Sequence, residues 1–218
     1  GMSLRERLLD LLCPPKCPVC GKVLDSGEPG LCASCQKDLP WMAEGEGQVP
    51  EFCDGCLSPL WYRENVPDGV RRYKFGGGQN HARLFGTLMA QCLSDRLHEP
   101  ADVITYAPLS AERLRERGYD QARLLAERVG ELTGIPVEPL LEKTRNTGAQ
   151  SHLEEASARR ANVQGAYRVK PGAEVKGRRI VLVDDVVTTG STLSECAVCL
   201  KAAGAASVTA LTLARARK

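Results

Sequence analysis

Residues 178–192 read RRIVLVDDVVTTGST, and the stretch Ile180–Val183 inside them is apolar at every position. A strand with one wet face alternates apolar and polar residues. A strand covered on both faces does not, and such strands belong to parallel sheets flanked by helices. This run therefore commits the chain to a layered α/β arrangement. It also ends abruptly in two neighbouring carboxylates, Asp184 and Asp185, followed by a turn of small hydroxylated residues.

The rest of the chain supplies partners for such a strand. HARLFGTLMAQCLSDRL reads as a helix, with Leu84, Leu88 and Cys92 at helical spacing and Phe85, Met89 and Leu93 beside them. ADVITYAPL is a strand candidate ended by Pro108, and IPVEPLLEK a weaker one interrupted by Pro139. YDQARLLAERVGELTG is amphipathic, with Ala122, Leu125, Val129 and Leu132 on one face, and Gly134 stands where a helix C-cap glycine belongs. A helix carrying Leu193, Ala197 and Leu200 follows the acidic pair, and ASVTALTLA closes the series as a strand. Strand–helix–strand alternation of this kind predicts an α/β domain with a largely parallel sheet. Residues 144–165 are polar and aperiodic, and a stretch that long is a lid, a binding loop or disorder, with a short surface helix within it as a further option.

In open α/β sheets, ligands bind beyond the C-terminal ends of the strands. Asp184 and Asp185 emerge there. Thr188, Thr189, Gly190, Ser191 and Thr192 then offer backbone N–H groups, hydroxyls and the start of the next helix, a combination that favours phosphate. Adjacent carboxylates repel unless they accept hydrogen bonds from ligand hydroxyls or lie near a cation. The string as a whole asks for a ligand with a phosphate, hydroxyl groups and a bound Mg²⁺. The bland alternative is two capping acids and a helix cap.

Ten cysteines are many for 218 residues, and their spacing says more than their number. Cys17-x2-Cys20 and Cys32-x2-Cys35 are two knuckles able to place four thiolates around one structural Zn²⁺. Cys53-x2-Cys56 lacks a downstream partner pair. Those two are free thiols, or share a zinc with others such as Cys13, or replace one of the first pairs. Cys196-x2-Cys199 falls on the helix after the acidic pair, where it reads as a core stripe. Residues 1–62 are thus expected to form a Cys-rich zinc-finger module and residues 63–218 the α/β domain. The net charge of +2 points to no partner, and no apolar stretch is long enough to span a bilayer. Gly1 before Met2 reads as the remnant of a cleaved tag, and no secretion leader is visible. The cysteine usage with no export signal favours metal binding over disulfides and a cytoplasmic protein.

The apolar strand, acid pair and Thr/Gly/Ser turn resemble the 5-phosphoribosyl-1-pyrophosphate (PRPP) loop of type I phosphoribosyltransferases. The resemblance implies that Asp184 and Asp185 hold ribose hydroxyls and act in catalysis. It gives PRPP binding to Val186, Val187, Thr188, Thr189, Gly190, Ser191 and Thr192, with Mg²⁺ bridging ribose and pyrophosphate oxygens. The turn Pro108, Leu109 and Ser110 sits where that family places its pyrophosphate loop, and residues 144–165 resemble its mobile hood. Three further strings, PLSAERLRERGYDQARLLA, KTRNTGAQSHLEEASARRANVQGAY and the cysteine pairs followed by YKFGG, narrow the resemblance to the ComF (ComFC-like) family, from about Leu11 to Ala214. Arg115, Arg117, Gln121, Lys143, Arg145, Gln150 and Arg160 become candidates facing the site, the alternative being solvated helix and loop faces. His152 carries no assigned role.

The resemblance implies an enzyme transferring a phosphoribosyl group to an unidentified nitrogenous acceptor. A second class is a binding protein in natural transformation, holding PRPP without turnover or contacting single-stranded DNA and competence proteins. Few aromatics accompany the Arg-rich segments 113–128 and 159–168, so any DNA contact is expected to be electrostatic. A PRPP-sensing regulator is weaker, since no helix-turn-helix is apparent.

Overall fold

The computed structural model describes residues 14–25, 30–144 and 165–217. The N-terminal part holds helix α1 (Ala33–Asp38) and strands β1 (Gly55–Leu57) and β2 (Leu60–Trp61). Helix α2 (Val66–Arg72) runs through a π-helical turn (Tyr73–Gly77) into helix α3 (Gly78–Arg96). Strand β3 (Val103–Tyr106), helices α4 (Ala111–Arg117) and α5 (Gln121–Thr133), and strands β4 (Leu141–Lys143) and β5 (Tyr167–Val169) follow. Strand β6 (Arg179–Val187), helix α6 (Ser191–Ala202) and strand β7 (Ser207–Arg215) complete the series.

β6 lies inside a parallel sheet of order β1-β7-β6-β3, with β2 also pairing β7. Val103 to Tyr106 pair with Ile180 to Val183 on one side, and Ser207 to Arg215 line the other. Val181 and Val183 enter one apolar cluster while Ile180 and Leu182 enter a second, and all four are at most 1% exposed. Burying each such side chain contributes roughly 1.5–3 kcal/mol. The continuous apolar run therefore has the two-sided burial that its lack of alternation requires.

Helices α3 and α5 cover the first face. α3 buries Phe85, Met89, Ala90 and Leu93, whereas Leu84 and Leu88 are only partly covered. The stripe facing the core is thus rotated by about one residue from the Leu84–Leu88 line. In α5, Ala122, Leu125 and Val129 are buried and Leu132 is half exposed, so the face ends one turn early. Its ends are as the residues suggest: the Asp120 carboxylate accepts from the Arg123 N–H at 3.1 Å, and Gly134 takes φ 75°.

The second face is covered by α6, through Leu193, Cys196, Ala197 and Leu200, and by the antiparallel pair β4–β5. Pro139 splits the segment read as one strand. Val137 makes a single parallel bridge to Ile104, and Leu141–Lys143 then turns away to pair with β5. A proline cannot donate to a ladder, so pairing cannot run through it.

β1 and β2 lie before residue 62, yet both hydrogen-bond to β7: Gly55 pairs with Thr209 and Leu60 with Ala214. Segments this short, broken by Ser58-Pro59, give no periodic signal. They are fastened by Arg215, which is 4% exposed. Its Nη1 donates to the carbonyls of Glu46 at 2.9 Å and Gln48 at 3.2 Å, and its Nη2 to that of Cys56. Gly47, at φ 82°, lies so close that a Cβ there would stand 2.4 Å from the Arg215 Nη1.

The ribbon is built from two tight knuckles. Gly21 N–H closes on the Cys17 carbonyl at 2.7 Å, and Lys16 bridges Val23. The sulfurs of Cys17, Cys20, Cys32 and Cys35 all lie within 4.8 Å of one another, and Cys20 and Cys32 sulfurs are 3.6 Å apart. A tetrahedral zinc with bonds of about 2.3 Å needs sulfurs about 3.8 Å apart. The donor set therefore fits Zn²⁺. Burial pushes the Cys17 thiol up, but backbone N–H groups of Cys20, Cys32 and Val19 outweigh it and hold it at about 7, favouring the thiolate that a metal needs. Asn65 Nδ2 donates to Cys35 sulfur at 3.7 Å, and Arg72 donates to the Val19 carbonyl, so α2 braces the ribbon. Cys53 and Cys56 join no group of metal-binding geometry among the described residues; Cys56 is a strand residue opposite Ala210, and both pack against the second cluster. Cys13 lies outside the described residues. Purified protein is expected to carry a single zinc in metal analysis. Cys35→Ser should lose it and lower the melting temperature by roughly 6–12 °C, the equivalent of about 3 kcal/mol for a chain of this size.

Candidate functional site

β6 does not stop at Val183. Pairing with β7 continues through Asp184 opposite Thr212 to Val187 opposite Arg215, so the acids sit within the last part of the strand. Each carboxylate curls onto the next residue: Asp184 Oδ1 accepts from the Asp185 N–H at 2.8 Å, and Asp185 Oδ1 from the Val186 N–H at 2.7 Å. The two side chains meet different surroundings. Asp185 Oδ2 is 3.2 Å from Lys74 Nζ, in a pair whose side chains are 14% and 29% exposed. Asp184 faces the side of Tyr167 and Cys196, whose groups feel its charge. Burial, and then the neighbouring Asp185, push the Asp184 carboxyl well above the ordinary carboxylate range, with Lys74 opposing.

Lys74 was absent from the candidates read in the sequence. It comes from the π-helical turn between α2 and α3. The YKFGG string is visible as distinctive, but nothing in its spacing ties residue 74 to residue 185. Tyr73 beside it is fully buried, with its hydroxyl donating to the Gln121 carbonyl at 2.6 Å and its ring 5.9 Å from those of Phe85 and Tyr119. This anchoring places Lys74 at the strand end.

Gln121 is 2% exposed and opens α5. Its Oε1 accepts from Arg117 at 2.7 Å, and its Nε2 has no hydrogen-bond partner among the described residues. The structure thus brings Arg117 and Gln121 together. Pro108, Leu109 and Ser110 connect β3 to α4, with Ser110 accepting from the Arg113 N–H at 3.3 Å as the cap. Arg115 is exposed on α4, a helix with no buried residue. Lys143 lies over the Tyr167 ring at 5.4 Å. Arg145, Gln150 and Arg160, with the rest of the polar stretch 145–164, lie outside the described residues.

After the acids, Thr188 and Thr189 are exposed and Gly190 takes φ 82° as the N-cap of α6. Thr189 Oγ1 accepts from the Ser191 N–H at 3.3 Å and donates to Ser191 Oγ at 3.1 Å, which turns the hydroxyls toward one another. A side chain on Gly190 would meet the Pro50 Cβ at 3.2 Å in a backbone conformation that other residues avoid. Beside this loop lies a cavity of about 880 Å³, bounded by Thr188–Ser191, the segment Glu46–Phe52, Trp61 and Arg215–Arg217. That segment and Arg215 were not legible as site neighbours, because their approach depends on β1 and β2 joining β7.

A parallel sheet whose inner strand carries paired acids into a Thr-Thr-Gly-Ser-Thr helix start, behind a four-thiol knuckle, is a phosphoribosyltransferase-type domain joined to a zinc ribbon. Residues 116–218 match the phosphoribosyl transferase domain, and residues 8–68 the double zinc ribbon domain. Competence protein F of Haemophilus influenzae is 30% identical over 223 residues, spanning 92% of this chain and 97% of that protein. The DNA utilization protein YhgH of Salmonella typhi is 34% identical over 202 residues, spanning 91% and 83%. Competence protein ComFC of Streptococcus pneumoniae is 28% identical over 199 residues, spanning 91% and 80%. Among solved structures, the allosteric regulatory enzyme of purine biosynthesis is 28% identical, with a TM-score of 0.45 over 61% of this chain and 26% of that one. The chain belongs to the competence protein F (ComF/ComFC) family.

Asp184 has a sign-defined signature. A carboxyl whose folded pKa is raised contributes stability below its unfolded pKa, and that contribution is lost as pH rises through the folded value. Thermal melts across pH should therefore show the ligand-free protein losing stability above the ordinary carboxylate range. Asp184→Asn should flatten that part of the profile.

Proposed function

We propose that the protein binds PRPP at the C-terminal end of β6 and transfers its phosphoribosyl group to a nitrogenous acceptor. The observation that carries this reading is the half-covered acid pair with Lys74 on one member, beside an exposed hydroxyl and N–H turn. Asp184 and Asp185 accept hydrogen bonds from the ribose hydroxyls. A hydroxyl donor or cation placed against Asp184 opposes the upward push that burial and Asp185 exert on its carboxyl. The residues thus fit a Mg²⁺–PRPP complex; bound there, the ion would supply charge neutralisation for the pyrophosphate. Thr188–Thr192 hold the 5-phosphate through backbone N–H groups and hydroxyls.

In the transfer, the anomeric C–O bond breaks and pyrophosphate leaves with the electron pair. The acceptor nitrogen forms the new bond to that carbon and gives up a proton. Positive charge builds on the ribose ring between these events, where Asp184 and Asp185 stabilise it. Lys74 and Arg117 are the described cations nearest in role to the departing phosphates, and Pro108–Ser110 offer the turn beneath them. The Lys74–Asp185 pair keeps the lysine ordered until the ligand takes over its partner.

PRPP binding in the presence of Mg²⁺, followed by calorimetry, tests the assignment. Asp184→Asn with Asp185→Asn should weaken it about 100-fold, the loss of two charged acceptors worth roughly 3 kcal/mol together. Unchanged affinity rejects the site. Pyrophosphate release with a panel of nucleobases and amines separates transfer from binding alone.

A second reading is favoured by α4, where Arg113 and Arg115 are exposed on a helix with no buried residue. We propose it as a contact for single-stranded DNA in a role akin to the competence and DNA-utilization names of the relatives. A cytoplasmic setting, which keeps thiols reduced, suits nine described free cysteines. Binding of a fluorescent oligonucleotide should fall steeply with added salt and weaken when Arg113 and Arg115 become alanine. Salt-independent binding contradicts the reading.

A further inference from the structure

The cavity beside the phosphate turn has a composition that narrows the acceptor. We infer that it is the acceptor subsite of the proposed transferase, that Phe52 is its stacking platform, and that it takes a planar heterocycle bearing N–H donors rather than a carboxylate-bearing one. This rests on the PRPP reading of the adjoining loop.

The cavity, about 880 Å³, is large enough for a base beside a sugar phosphate. One side is the polar turn Thr188–Ser191; the facing side includes Val49, Pro50 and Phe52. Val49 and Phe52 are 49% and 50% exposed and both line this wall. Phe52 also holds φ 67°, a left-handed backbone conformation that a bulky residue rarely adopts. A strained backbone that presents an aromatic ring at a cavity is a functional signature rather than a packing one. The wall is also fixed in place. Arg215 grips the carbonyls of Glu46 and Gln48, Cys53 N–H closes on the Pro50 carbonyl at 3.1 Å, and Asp54 N–H bonds to Val208. A platform held this way loses little freedom on binding.

The charges give the ligand class. Glu46, Glu51 and Glu195 line the cavity. Of its two cations, Arg215 alone is committed to backbone carbonyls. Arg215 directs both terminal nitrogens to carbonyls, and Arg217 lies over the Trp61 ring at 5.1 Å. Trp61 Nε1 is itself held by Glu46 at 3.2 Å. Away from the hydroxylated turn, the three carboxylates outnumber the one exposed guanidinium, Arg217, and act as acceptors. They receive ring N–H or exocyclic amino groups and repel a ligand carboxylate. Phosphate at the turn and an amine-bearing ring on Phe52 together describe an aminated nucleoside monophosphate as product.

Calorimetry on the full chain tests this with ribose 5-phosphate, AMP, CMP and orotidine 5′-monophosphate. AMP and CMP should bind at least about 10-fold tighter than ribose 5-phosphate, and orotidine monophosphate no tighter. Phe52→Gly removes the ring and suits the left-handed backbone, so it should melt no lower than the native protein. It should keep its ribose 5-phosphate affinity and lose the gain from the base, while Phe52→Tyr retains it. If ribose 5-phosphate binds but the base adds nothing, or the gain survives Phe52→Gly, the acceptor assignment is overturned and the phosphate reading stands. Tighter binding of orotidine monophosphate than of AMP overturns the stated class. Absence of ribose 5-phosphate and PRPP binding rejects the phosphate reading and this inference with it.

Discussion

Two-sided burial of one strand governs the architecture. Ile180 to Val183 cannot meet water on either face, so β6 must be flanked by β3 and β7 and roofed by helices above and below. Once that is satisfied, polar residues are left to the two ends of the strand, Arg179 paired with Asp102 at one and the acids at the other. Two carboxylates placed immediately after the apolar run then arrive at the edge of the sheet, half covered and side by side. Their mutual repulsion is not an accident of packing but a property the layered arrangement enforces.

The environments of the two acids diverge because a strand sends neighbouring residues to opposite faces. One meets an ammonium group supplied by the π-helical turn; the other faces a tyrosine and a cysteine of the opposite layer. The same residue type thus meets an ammonium group at one position and, at the other, surroundings that favour its protonated form. This is how identical side chains acquire separate chemical duties.

Much of this was legible in the residues and some was not, for definable reasons. The inner strand, the α5 helix with its Asp120 and Gly134 ends, and the Leu193–Leu200 stripe follow from period and caps, which are local. The four-thiol knuckle follows from spacing. On α3 both Leu84–Leu88 and Phe85–Met89 are apolar lines in the sequence, and only the neighbouring helix decides that the second is buried. Lys74 escaped notice because its partner is more than a hundred positions away. β1 and β2 escaped because strands of three and two residues carry no period. Arg215 reads as a surface residue at the end of an apolar strand, and only the carbonyls it meets make it interior. The polar stretch read as a hood falls outside the described residues.

That arginine has an implication for biogenesis. The bonds from Arg215 to Glu46 and Gln48 span 169 and 167 positions of chain. A polypeptide emerging from the ribosome can close its thiol knuckle early, but the Phe52 wall lacks its bonds to Arg215 and Val208 until β7 is released. Long-range closure of this kind slows folding. It also means that a nascent product stopped before Arg215 carries the metal module without a formed cavity, so the binding surface comes into being only once β7 has been made.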